Sequence, residues 1–140
     1  RKTLTRGLER HFAGDYISAT HILATQVEGL MRDHLEWTGQ SKPYRSAGVV
    51  TALRNLIADR SLVLGSAKIR TELMDFVDRE VFARDFQDVT DPDREISRHG
   101  VAHGLIGDVD SAALSWRFVV LIDGVVQMLL LDRVVSGTEF

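Results

Sequence analysis

The sequence has no cysteine, which excludes disulfides and thiolate metal sites and leaves the redox compartment unread. Basic residues are not in excess. A net charge of −3 argues against a broad, sequence-independent nucleic-acid surface but leaves room for a small phosphate site. The N-terminal stretch Arg1 to Gly7 lacks the apolar segment of a secretory signal. The most apolar run, Phe118 to Leu131, is broken by Asp123, Gly124 and Gln127 and reads as too short to cross a bilayer. These absences predict a cytoplasmic domain with no membrane partner. No strand pair, internal repeat, low-complexity segment, glycine-rich phosphate loop or Ser/His/Asp arrangement stands out.

An apolar fraction of 44% and a charged fraction of 26% in 140 residues suit one soluble domain. The chain opens on Arg1 rather than methionine, which predicts a piece from the C-terminal part of a longer protein, residues 1–140 forming a single domain.

Helical spacing dominates. Leu4, Leu8 and Phe12 predict a short helix over residues 1–12, and Asp15 is placed to cap the next one. From Tyr16 to Trp37, Ala19, Leu23, Val27, Leu30, Met31 and Leu35 recur at three-and-four spacing for about six turns. Residues 38–43 form a turn cluster. A helix over 47–59 presents Val49, Val50, Leu53, Leu56 and Ile57. After a cap at Gly65 and Ser66, another over 67–84 presents Ile69, Leu73, Phe76, Val77 and Val81, and Phe82 and Phe86 extend its apolar surface. The last helix, 112–135, is apolar nearly all round, so it is either central to a bundle or shared with a partner subunit. The expected fold is all-α, an up-and-down bundle of four main helices with short accessory ones.

One stretch concentrates chemistry: Arg98-His99-Gly100-Val101-Ala102-His103-Gly104. Asp91 as N-cap, Pro92 at the first helical position, Asp93 and Glu95 in the first turn and Gly104 at the end predict a short helix over about 92–103, weak at Gly100.

Arg98 and His103 followed by Gly104 resemble the Arg-x(4–6)-His motif of the HEPN superfamily, small helical bundles that include metal-independent ribonucleases. The stretches Asp15 to Ala19 and Thr25 to Arg32 are similar to the long early helix of HEPN-like domains at the C-terminal ends of larger proteins. The residue after the motif arginine is often asparagine there; here it is His99, and no role of that amide is carried over. The resemblance implies an endoribonuclease acting in stress or defence. It also implies a homodimer with paired motifs lining a shared cleft, RNA as substrate and no cofactor.

Cutting RNA without a metal requires activating a 2′-hydroxyl, offsetting charge on the phosphate and protonating the leaving oxygen. His103 titrates near neutrality and suits the general acid or base; Arg98 presents a planar fork for phosphate. His99 can supply a second proton, and Glu28 can orient Arg98 from behind. Residues five apart on a straight helix diverge by about 140°. Arg98 and His103 therefore need either a distortion at Gly100 or a second copy across a two-fold axis to converge.

Two other readings stand beside it. On the first, Arg98 pairs with Glu28 or an aspartate and His103 caps a carbonyl, leaving a non-catalytic interaction or dimerisation module that also contacts other domains of the parent protein. Glu95, His99 and His103 recur every four residues, a zinc-compatible spacing without a further ligand cluster, so no metal is expected. Glu28 and Arg32 form a plain i,i+4 ion pair on the simplest reading. His21 and His34 are expected at the surface or as packing, and Trp37 and Trp116 in the core. Asp123 and Gln127 are expected to bond across a bundle or subunit interface.

Overall fold

The computed structural model describes residues 2–43, 45–59, 64–82, 98–102 and 110–135. These form six helices: α1 (Lys2–Phe12), α2 (Tyr16–Trp37), α3 (Ser46–Asp59), α4 (Leu64–Phe76), α5 (Arg98–Ala102) and α6 (Ala112–Val135). No strand occurs among the described residues. The protein is an all-α bundle of four long helices with α1 and α5 as short accessories.

The centre is α2, which packs against α1, α3, α5 and α6. Its start follows from Asp15, whose Oδ1 accepts the Ser18 N–H at 3.2 Å. Its end follows from Gly39 (φ 75°), a left-handed residue that lets Gln40 N–H reach back to the Leu35 carbonyl at 2.8 Å. Between these caps Ala19, Leu23, Ala24, Val27, Met31 and Leu35 are buried, one stripe at helical spacing. α1 lies unusually close because Gly7 has no side chain. A Cβ there would sit 2.8 Å from Leu23 Cδ2 and 2.9 Å from Ile22 Cγ2.

The core is completed by Val49, Val50, Leu53, Leu56 and Ile57 of α3, and by Leu114, Phe118, Leu121, Ile122, Val125, Met128 and Leu129 of α6. α6 is therefore not the central helix: it buries one face and leaves the opposite one in solvent. Its full helical length, 112–134, does reach that of a bilayer span by length and composition, longer than the interrupted run 118–131 suggested. Core helices of soluble proteins meet the same test.

α4 departs from expectation twice. It begins at Leu64, so Gly65 and Ser66 lie inside its first turn rather than before it. Its buried face holds Arg70, Met74 and Val77, and Ile69 points outward, 69% exposed. The helix then widens into a π-helical turn, Val77–Val81, closed by the Phe82 N–H on the Val77 carbonyl at 3.0 Å. That extra residue per turn brings Val77, Val81 and Phe82 to the core together. Arg54 of α3 ties this end down through Asp75 (2.6 Å) and Asp78 (3.2 Å).

Candidate functional site

The arginine–histidine segment enters the structure as α5, a single turn that starts at Arg98 and packs against α2. Gly100 and Val101 are buried, Val101 as part of the hydrophobic core. The backbone is α-helical through Gly100, so the expected distortion is not found at that glycine within 98–102. His103, Glu95, the proposed cap Asp91 and Phe86 lie outside the described residues, as do the side chains of Arg98 and His99. Among the described residues no group of three or more His, Asp or Glu could hold a metal ion.

Glu28 is buried on α2. Its carboxylate accepts from Arg32 Nε at 2.8 Å and from the Ser46 hydroxyl at 3.0 Å, and Arg32 also donates to the Pro43 carbonyl. The pair with Arg32 is thus more than a surface i,i+4 bridge: it fastens the loop after α2 and the first residue of α3 to the central helix. A carboxylate has about four acceptor positions. Arg32 fills Oε1 with two N–H groups and the Ser46 hydroxyl binds Oε2.

Two clusters were not anticipated from the sequence. His34, expected at the surface or as simple packing, is buried with its Nε2 2.8 Å from Asp132 Oδ2. Its spacing after Met31 placed it on the core side of α2, and a buried imidazole there demands a polar partner. Asp132, an acid ending an apolar run, was the signal. Trp37, beside His34 at 5.7 Å between ring centroids, is 39% exposed, its face covered by the Arg133 guanidinium 4.2 Å away.

At the other end His11 Nδ1 lies 2.9 Å from Ser115 Oγ, and the ring stacks on Trp116 at 5.1 Å. Trp116 is 49% exposed. Both tryptophans thus sit at the margins of the bundle instead of in its core, because each ends or begins a helix and finds a partner only on one side. His21 is exposed and bonds the Ile17 carbonyl of its own helix. Asp123 and Gln127 are exposed on α6 and bond nothing within the described bundle.

A solvent-open depression of about 560 Å³ lies on α1, lined by Lys2, Thr5, Arg6 and Glu9, and includes none of the candidate residues. Compared with family models, with curated proteins and with solved structures, the chain matched none.

Proposed function

We propose that this chain is an HEPN-like helical domain, cytoplasmic, that acts as a metal-independent endoribonuclease in stress or defence. Arg98 binds the scissile phosphate and offsets its transition-state charge. His103 takes the proton of the RNA 2′-hydroxyl. The 2′-oxygen attacks phosphorus, the bond to the 5′-oxygen breaks, and His99 protonates that leaving oxygen. Glu28 positions Arg98 without touching substrate.

The observation that supports this reading is the docking of α5 on α2. Burial of Gly100 and Val101 holds the turn that begins at Arg98 against the same helix that carries Glu28. Catalysis by positioned side chains needs such a rigid backing.

The test is incubation of the purified protein with structured and single-stranded RNA in excess EDTA. Arg98→Ala and His103→Ala variants with unchanged helical content run beside it. Cleavage by the parent, lost in both variants, is the expected result. A folded parent that leaves RNA intact sinks the nuclease reading.

A second reading, a non-catalytic interaction module on the same fold, draws support from the solvent-facing side of α6. Five large apolar side chains are exposed there, more than scattered surface residues account for.

A further inference from the structure

We infer that α6 forms a two-fold, antiparallel interface with α6 of a second copy of this chain. The inference rests on the interaction-module reading, and not on nuclease activity. The exposed apolar residues of α6 are Trp116, Val120, Leu130, Leu131 and Val134. Their spacing of 4, 10, 1 and 3 places them along one side of the helix, a straight row about 27 Å long. The opposite side is already spent on the core.

The row is close to a palindrome. A two-fold axis at the level of Val125 sets Trp116 opposite Val134 of the second copy and Val120 opposite its Leu130 and Leu131. The same axis sets Asp123 level with the second copy's Gln127. Both are exposed and unbonded within the described bundle. The Gln127 amide N–H donates and the Asp123 carboxylate accepts, and symmetry makes the contact twice. A parallel arrangement would instead oppose Asp123 to Asp123, a like-charge pair. A lipid surface suits the row poorly, since Asp123 and Gln127 lie at its middle, where an acyl interior offers no partner. Self-complementarity of both the apolar and the polar positions points to a second copy.

The experiment is sedimentation equilibrium of the full chain with four variants, each checked for parent-like helical content. Val120→Asp sits on an exposed position, so the fold tolerates it, and it should weaken dimerisation at least about tenfold. Asp123→Lys removes the acceptor, and Gln127→Glu opposes two carboxylates; each should weaken the dimer. The double variant Asp123→Lys with Gln127→Glu restores opposite charges only in the antiparallel register and should recover dimerisation.

A dimer indifferent to Val120→Asp overturns the α6 placement while the interaction-module reading survives. Failure of the double variant to recover overturns the antiparallel register. A chain that stays monomeric at roughly 100 µM overturns the second-copy proposal. Flotation of such a monomer with phosphatidylcholine–phosphatidylglycerol vesicles, abolished by Val120→Asp, overturns it in favour of a membrane.

Discussion

His34 Nε2 and Asp132 Oδ2 meet 2.8 Å apart, both buried, joining the last turns of α2 and α6 across 98 residues of chain. A buried hydrogen-bonded pair of this kind contributes little net stability relative to a well-packed apolar pair, but breaking it strands one polar group in the core.

Asp132→Ala is therefore expected to cost about 2–4 kcal/mol, because His34 loses its partner where water cannot replace it. Replacing both, as His34→Phe with Asp132→Leu, should recover a large part of that loss. Urea unfolding of the two single variants and the double variant measures the difference. A double-variant loss equal to the sum of the two single losses would show that the pair does not act as a unit.

Glu28→Ala removes the acceptor shared by Arg32 and Ser46 and should destabilise by about 2–3 kcal/mol. Glu28→Gln keeps an acceptor oxygen but not the charge, and should cost less. If Glu28 also positions Arg98, Glu28→Gln lowers RNA cleavage in a protein that stays folded. Thermal melts and cleavage rates on the same preparations separate the two effects.

Two of the helical glycines, Gly7 and Gly124, respond in opposite directions. Gly7→Ala drives a Cβ into Leu23 and Ile22, and Leu23 is fully buried and cannot swing away. Overpacking outweighs the gain in helix propensity, for a net loss of about 1 kcal/mol. At Gly124 the nearest atom to an added Cβ is Leu73 Cδ2 at 3.8 Å, ordinary contact. Gly124→Ala should stabilise by about 0.5–1 kcal/mol. Denaturant midpoints for both variants decide it.

Asp15 carries a pH dependence. Hydrogen bonds from Ser18, first its hydroxyl and then its backbone N–H, together with the nearby Arg10, hold the carboxyl below its ordinary value of 3.8. A lowered folded-state pKa means its stabilisation is complete above the unfolded value and drains away as pH falls through the folded one. Asp15→Asn retains the capping oxygen. It should melt somewhat below the parent near pH 7, approach it as the carboxyl protonates, and so show a shallower loss of melting temperature below pH 4. Parallel acid melts would detect a slope unchanged by the substitution, which would remove Asp15 from the account.

Much of the architecture was legible because apolar spacing on α2, α3 and α6 is regular. Tyr16–Trp37 and Ala112–Val135 were read to their ends, since Asp15, the Thr38–Gly39 turn and Ser111 mark the boundaries. α4 was misread by one position, because Ile69 advertises burial while Arg70 takes it, and no composition signal announces a π-helical turn. The sequence leaves the role of α6 open between core and partner. Its apolar character is uniform around the helix, and only packing reveals which side α2 covers. Polar burial was the least visible: His34 has a sequence-distant partner, and nothing local to either residue names the other. Of the site, Glu28 was identified on α2, whereas its bonds to Ser46 and Arg32 depend on how the loop before α3 folds back.

His11 with Trp116 marks one end of the α2–α6 seam, since His11 also lies 5.7 Å from Tyr16, and His34 with Asp132 marks the other. The two helices thus run side by side in the same direction, with all of α3, α4 and α5 threaded between them in the chain. During synthesis, the apolar stripe of α2 emerges long before α6 exists to cover it. The nascent chain must carry Val27, Met31 and Leu35 incompletely covered through more than seventy residues of elongation. Completion of this fold is a late event, set by the arrival of its final helix.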